Sequence, residues 1–345
     1  MAGVVPQLKI GLKLGNGSFG EVFLAEHNVH GQVAVKVISR QPNLSDAQWM
    51  AFKTGALAEA RKLSAAKHQH VVQVFDIEEP SDDQTIRFCM AYCAGGSLQG
   101  RFEQGPMPLP QVRGVAIDVL MGLEALHGRG MLHRDIKPGN ILIDAQDKAL
   151  ISDFGLVADN VTLGYASGAG YGDHLAFEFW KTGLTSVKTD IWALGMTLYR
   201  LLHGKQWYDE AAAPHTLVPK GGFSKTLSWL PHVPKTWRRV INKMLNDDTS
   251  QRYSSANQVS NALSRLEAPT WRIDVTPQMV RWERQKASRR QIVEWTRTTD
   301  RVNEWRAWSE PISGPGNTRT LGASSGVVTK KAALKGLDEF FAQNS

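Results

Sequence analysis

The sequence predicts an α+β fold. Strands with one helix fill the first third, helices dominate the middle, and a small strand-rich module ending in a helix closes the chain. Three observations predict it. Apolar alternation brackets a glycine cluster over residues 8–24 and resumes at 33–38, the period-2 signature of strands. Apolar residues at helical spacing run through 111–127. Beyond Thr270 stand five of the eleven tryptophans, Trp271, Trp282, Trp295, Trp305 and Trp308, in segments of strand composition.

In the first of these segments Gly15-x-Gly17-x-x-Gly20 removes side chains where a backbone could lie over phosphates and donate its amides. The same glycines would also suit a plain hairpin turn. A dinucleotide-binding fold would continue into a helix. Here the loop returns into a strand, residues 21–24, and a second strand follows at 33–38. Lys36 is the single charge in that second strand. It either snorkels from an edge or, sixteen residues after Gly20, reaches under the loop toward the α- and β-phosphates. A lysine placed there needs an anion, and Glu59, on a helix expected over about residues 47–66, is the candidate.

The helix over 111–127 buries one stripe, Val112, Val115, Ala116, Val119, Leu120, Leu123 and Leu126, and stops at Gly128-Arg129-Gly130. Then comes His133-Arg134-Asp135-Ile136-Lys137-Pro138-Gly139-Asn140, followed by the apolar pair Ile141-Leu142. Thirteen residues after Asn140 stands Asp153-Phe154-Gly155, at the end of a short apolar strand, residues 149–151.

These motifs, in this order and between these elements, resemble the eukaryotic-type (Hanks-type) serine/threonine protein kinases over roughly residues 8–266. The resemblance implies a bilobal protein-kinase fold over 1–268. Its antiparallel-sheet N-lobe would reach about residue 90, its hinge would lie at about 91–96, and its helical C-lobe would run over about 97–268. Residues 269–285 then read as a linker and 286–345 as a small β/α module of unassigned role. The implied activity is transfer of the γ-phosphoryl of MgATP to a protein hydroxyl, with autophosphorylation, and with Mn²⁺ as the alternative metal. Phosphoryl transfer asks the protein for positioning and charge neutralisation. Accordingly Asp135 would orient the substrate hydroxyl, Lys137 would stabilise the transferring group, and Lys36 would hold phosphates under the guidance of Glu59. Asn140 and Asp153 would hold the metal. Leu14, Gly15, Asn16, Gly17, Ser18, Phe19 and Gly20 would surround ATP. Val22, Ala34 and Leu142 would sandwich the adenine, with Met90 as gatekeeper and the backbone of Ala91 and Cys93 bonding the ring. His133 and Phe154 read as packing residues that align the site.

Lysine two residues after Asp135 is the serine/threonine form, which dual-specificity enzymes share. Arg134, just before Asp135, accompanies switching by phosphorylation, where a phosphate pairs with arginine. Thr162 and Ser167 are the candidate phosphosites, and in so glycine-rich a stretch they read equally as turn residues. The family closes this segment with Gly-Thr-x-x-Tyr-x-Ala-Pro-Glu. Here residues 170–178 read Gly-Tyr-Gly-Asp-His-Leu-Ala-Phe-Glu, with Tyr171 at the threonine and Phe177 at the proline. Glu178 keeps its expected partner Arg252, and Asp190 opens the helix that anchors the catalytic loop in the family.

The last third of the C-terminal module faintly resembles double-stranded-RNA-binding domains and small bacterial strand–helix modules. Of the net charge of +7, the stretch from Thr270 carries 13 Lys+Arg against 8 Asp+Glu, which is too slight an excess to point to nucleic acid by itself. Arg281, Arg284, Arg289, Arg290, Arg297 and Arg306 either grip phosphates or form a solvated face over a tryptophan core. Beside protein substrates, a protein or an RNA bound by this module are the candidate partners. Thr329 is placed to cap a helix over 330–342. Cys89 and Cys93, alone and four apart, read as packed free thiols. No apolar run of eighteen residues and no signal-peptide pattern occurs, so the expected location is the cytoplasm. The competing reading is a pseudokinase or ATP-binding scaffold. Degraded Lys36, Asp135, Asn140 or Asp153 would favour it, and all four are present.

Overall fold

The computed structural model describes residues 8–17, 20–65, 67–81, 83–153, 172–313 and 316–344, without the side chains of 59–63 and 65. The N-terminal sheet is antiparallel and five-stranded: β1 (Leu8–Gly17), β2 (Gly20–His27), β3 (Gly31–Ser39), β4 (Val74–Glu78) and β5 (Thr85–Ala91), in the order β1-β2-β3-β5-β4. Alternation along β3 and β5 divides their side chains between two faces. One face buries Ile38, Ile86 and Phe88 against Trp49 and Ala56 of helix α1 (Asp46–Ala65). The other buries Val33, Val35 and Cys89 with Ala25. The start of α1 is tied to the β4–β5 turn: Trp49 Nε1 donates to the Asp83 carbonyl at 2.7 Å, and Lys53 forms an ion pair with the Asp83 carboxylate.

The larger lobe holds α2 (Leu98–Gln104), α3 (Leu109–His127), the hairpin β6 (Ile141–Ile143) and β7 (Ala149–Ile151), α4 (Phe177–Thr182), α5 (Val187–Tyr208), α6 (Pro214–Leu217), α7 (Lys235–Met244) and α8 (Ala256–Ser264). α5 is its axis. From Thr189 to Tyr199 every residue is buried, the pattern of a helix enclosed on all sides. Ser186 opens it with a reciprocal capping box to Thr189.

The C-terminal module is a second five-stranded antiparallel meander: β8 (Arg272–Val275), β9 (Met279–Lys286), β10 (Arg289–Arg297), β11 (Asn303–Pro311) and β12 (Arg319–Ala323), followed by α9 (Lys330–Gln343). The expected β10–β11 hairpin forms with Trp295 opposite Trp305, and Thr329 caps α9 through the Ala332 amide. The linker expected at 269–285 is corrected. It contains β8 and almost all of β9, paired from Arg272 opposite Glu283 to Val275 opposite Val280. Pro277 lies in the β8–β9 turn, closed by the Thr276 amide donating to the Met279 carbonyl at 2.8 Å. It therefore interrupts no strand.

The module shares one continuous core with the C-lobe. Trp207 of α5 meets Trp295 edge to face at 6.2 Å, and His232 lies 6.2 Å from Trp282. Trp271 and Trp282 both meet Phe341 of α9. Polar bonds fasten the seam: Arg297 grips both Glu210 oxygens at 2.7 Å, and Arg238 reaches Asp338 at 2.6 Å. The six arginines singled out in the module have partners within the fold. Arg284 is buried over the Trp271 ring at 4.3 Å, and Arg281 and Arg306 both pair with Glu294 between them. Arg290 lies 3.7 Å from both Glu283 and Glu310. The two readings offered for these residues, phosphate grip and solvated face, thus give way at Arg284 and Arg297, which are interior. Cys89 and Cys93 are buried free thiols, both pushed up to about 11 by burial first. Among the described residues no helix is long and apolar enough to cross a membrane.

One core implies one unfolding event. Trp295→Ala, which empties the seam, is expected to cost about 3–5 kcal/mol and to lower a single denaturation transition. Two separate transitions in guanidinium, followed by circular dichroism and tryptophan fluorescence, would contradict the shared core.

Candidate active site

The register of one short hairpin assembles the centre of the site. Ile141 pairs with Ile151, so the start of β6 lies beside the end of β7. Asn140, just before β6, is therefore brought against Ser152, whose amide and hydroxyl both donate to the Asn140 carbonyl at 2.9 and 3.1 Å. Asp153 follows in a left-handed backbone conformation (φ 58°). Its Oδ1 accepts from Lys36 Nζ at 2.7 Å, across the cleft from β3. Lys36 is 1% exposed, which no edge lysine that snorkels to water would be. It stands opposite Val22 on β2 and Phe88 on β5, two residues from Ala34, so all share the face that turns toward the cleft.

The loop before β6 supplies the rest. Asn140 Nδ2 donates to the Asp135 carbonyl at 2.9 Å and to its carboxylate at 2.7 Å, and Lys137 Nζ reaches the same carboxylate oxygen at 2.7 Å. Burial raises the Asp135 carboxyl above the ordinary aspartate value, against the pull of Lys137, His133 and Asn140. The side-chain nitrogen of Asn140 is spent on Asp135, so its amide oxygen is what it can offer a cation. With Asp153 it makes an all-oxygen pair of the kind Mg²⁺ accepts while keeping water and phosphate oxygens. Among the described residues no group of three or more His, Cys, Asp or Glu could form a dedicated protein cage for a metal.

Asp190, at the start of α5 and 1% exposed, holds this loop in shape. Its carboxylate accepts from the His133 amide (2.9 Å), the Arg134 amide (2.8 Å) and the His127 ring (2.8 Å). Arg134 sits at φ 69°, a strained setting for a non-glycine residue that persists where surroundings impose it. His133 is buried, and burial lowers its pKa. Its Nδ1 accepts from the Asp135 amide at 3.2 Å, so its Nε2 carries the proton donated to the Ser152 carbonyl at 3.0 Å.

At the hinge, Met90, Ala91, Cys93 and Leu142 pack around Val72 and Leu150. The Ala91 amide is bonded to the Gln73 carbonyl and the Cys93 carbonyl accepts from Gly96. In the glycine loop, Gly15 faces Val22 and Asn16 faces Glu21. A Cβ at Gly20 would stand 2.1 Å from the Val37 carbonyl oxygen, so packing alone demands glycine there. At Gly15 a Cβ would meet nothing within 4 Å, so packing makes no such demand. Leu14 is exposed beside it. Ser18, Phe19, Phe154, Thr162, Ser167 and Tyr171, like the side chain of Glu59, lie outside the described residues.

Sequence reasoning missed a polar network below the segment that precedes α4. Asp173 is buried and accepts from the Tyr208 hydroxyl (2.9 Å) and the His215 ring (2.8 Å). His174 is buried beside it and bonds Arg200 of α5 at 2.8 Å. The available signal was the departure at 174, a histidine where the family pattern has tyrosine. Phe177 occupies the first position of α4, which favours proline but does not require it. Glu178 pairs with Arg252 through two bonds, at 2.7 and 3.0 Å.

The profile of the protein kinase domain matches residues 8–263, and the chain belongs to that family. Similar proteins include the SNF1-related protein kinase catalytic subunit alpha KIN12 of Arabidopsis thaliana, 29% identical over 74% of this chain and 50% of its own length. Serine/threonine-protein kinase pkn2 of Myxococcus xanthus is 29% identical over 73% of this chain and 31% of its own length. Serine/threonine-protein kinase PknH of Mycobacterium bovis is 28% identical over 72% and 42%. The chain therefore spans half or less of the length of these relatives.

His133, His174, His203 and His232 are fully buried, and burial lowers the pKa of each, that of His203 to about 3. The unfolded chain takes up these protons near pH 6.5 while the folded chain refuses them. The stability present above about pH 6.5 is accordingly lost on acidification, at up to about 1.4 kcal/mol per pH unit per histidine. Denaturant titrations over about pH 7.5–5.5 are expected to show this slope, and His203→Phe is expected to flatten it.

Proposed function

We propose that this chain is an ATP-dependent serine/threonine protein kinase that phosphorylates protein hydroxyls, its own included. One observation carries the reading. Lys36, Asp153, Asn140, Asp135 and Lys137 form an unbroken series of contacts through one cleft, with Ser152 closing the step between Asp153 and Asn140. Each group then has a task in phosphoryl transfer. The buried ammonium of Lys36 is placed to meet the α- and β-phosphates. Asp135 receives or orients the hydroxyl proton of the substrate, at a carboxylate already steadied by Asn140. Lys137, within bonding distance of that carboxylate, stands where charge develops on the moving group. Asn140 and Asp153 are the residues that would hold magnesium, which would supply positive charge against that of the phosphates.

The unfilled space at Gly15 supports a phosphate-covering role for the loop. Val22, Ala34 and Leu142 supply flat apolar walls for adenine. With the Ala91 amide occupied by Gln73, the Ala91 carbonyl and the Cys93 amide are the hinge atoms proposed to read its edge. Glu59 is proposed to orient Lys36, and Thr162 or Ser167 to take the regulatory phosphate. The serine/threonine branch rests on Lys137 and on the names of the similar proteins. The cytoplasm is the proposed location.

Transfer from labelled ATP with Mg²⁺, to the protein itself and to a generic basic protein, tests this. Asp135→Asn and Asp153→Ala are expected to lose at least about a hundredfold in rate, and mass spectrometry is expected to locate phosphate at Thr162 or Ser167. A folded wild type that binds ATP and transfers nothing would overturn the enzyme reading. A second outcome concerns pH. Lys137 is the largest influence drawing the Asp135 pKa down. Lys137→Ala should therefore shift the acid limb of the residual activity to higher pH, and an unmoved limb would refute the coupling.

A further inference from the structure

The start of α7, the chain that leaves α8 and the end of α9 enclose a cavity of about 430 Å³ at the seam between the C-lobe and the module. Small-molecule sites favour such boundaries, and this volume lies in their range. The framework of the cavity is pinned. Arg238 donates to the carbonyls of Pro231 and Val233 at 3.2 and 2.8 Å and pairs with Asp338 of α9. Trp237 Nε1 donates to the Glu267 carbonyl at 2.8 Å. Pro231, Pro234 and Pro269, all in the lining, restrict the backbone further.

Three features of the lining suit an anion carried on a rigid ring. α7 begins behind Pro234, which offers its first turn no side-chain cap, so amides there that lack an intrahelical partner are open to an anion. Of the charged side chains in the lining, Arg238 and Asp338 are spent on each other, which leaves the exposed Lys235 and Arg265 against the single carboxylate of Glu267. His232 is also in the lining, 2% exposed, and among the described residues neither of its ring nitrogens has a hydrogen-bond partner. Burial keeps this ring neutral, so it carries one donor and one acceptor. A buried donor without a partner is costly and calls for an explanation. A ligand oxygen entering the cavity would satisfy it.

We propose that this cavity is a binding site for a small aromatic carboxylate. Lys235, Arg265 and the first turn of α7 draw the carboxylate, and His232 supplies a buried donor. The half-buried Leu266 and Pro269, backed by Trp271 and Phe341, give the ring an apolar wall. A rigid ring loses little freedom on entering a preformed cavity, whereas a flexible acyl chain loses much, which selects the aromatic class over a fatty acid. The lining comes from both the lobe and the module, so an occupied cavity ties the two together and stabilises the folded chain.

Titration calorimetry of the whole chain with naphthoate tests this. Naphthoate is expected to bind with a Kd tighter than about 1 mM, to weaken as salt rises, to raise the denaturation midpoint, and to resist displacement by saturating MgATP. Octanoate and naphthylmethanol, which lack the ring and the charge in turn, are each expected to bind at least about tenfold more weakly. Lys235→Glu combined with Arg265→Glu is expected to cost about tenfold in affinity, and His232→Phe a similar factor. Thr236→Trp and Ala342→Trp, at exposed positions of the lining, should each block the cavity and abolish binding while circular dichroism shows the fold intact. No binding at millimolar naphthoate, equal affinity for octanoate or naphthylmethanol, displacement by MgATP, or affinity unchanged in the folded variants would each overturn the proposal. If one tryptophan variant does not fold, the other and the charge reversal decide. None of these measurements reads phosphoryl transfer, so the result stands apart from the kinase reading.

Discussion

The carboxylate of Asp190 is the constraint on which the site depends. A charge 1% exposed is costly to bury unless its hydrogen bonds are complete. Here it takes three, from His127 at the end of α3 and from the amides of His133 and Arg134. Those bonds force Arg134 into a left-handed conformation, and the turn they create aims Asp135 at the cleft. The position of every later group follows: Asn140 and Lys137 are fixed by Asp135, Ser152 by Asn140, and Asp153 by Ser152. Because α5 is buried from Thr189 to Tyr199, the anchor itself has nowhere to move.

The same helix carries the module. Its far end supplies Trp207 to the β-sheet and the adjoining Glu210 to Arg297. Apolar surface on the C-lobe and on the sheet's inner face is covered by mutual contact, with α9 filling the remaining side through Phe340 and Phe341. On the outer face arginines are partly offset by carboxylates in rows such as Arg281–Glu294–Arg306. This arrangement fits a brace on the lobe better than a separately tethered reader of nucleic acid.

Much of this was legible in the sequence for identifiable reasons. Lys36, Asp135, Asn140 and Asp153 are residue types that a packed strand or loop has no reason to bury unless something charged faces them, and their spacing is set by short rigid elements. The hairpin at Trp295 and Trp305 and the Thr329 cap rest on local rules that tertiary context did not override. The linker reading of 269–285 failed because the strand alternation of Val280, Trp282 and Arg284 was masked by an arginine, which is buried over Trp271. Arg200, His203 and His232 could not be recognised either. Buried polar residues on helices and loops share their sequence signature with solvated ones, and only the partners, tens of residues away, reveal the difference.

The order in which the ribosome delivers these pieces gives the shared core a temporal meaning. Trp207 and His232 emerge well before the strands that cover them, and Phe341 emerges about a hundred residues after His232. Throughout that interval the nascent C-lobe presents an open aromatic wall. A chaperone that recognises such surfaces would have its longest opportunity there, and the last turn of α9 is the signal that closes it.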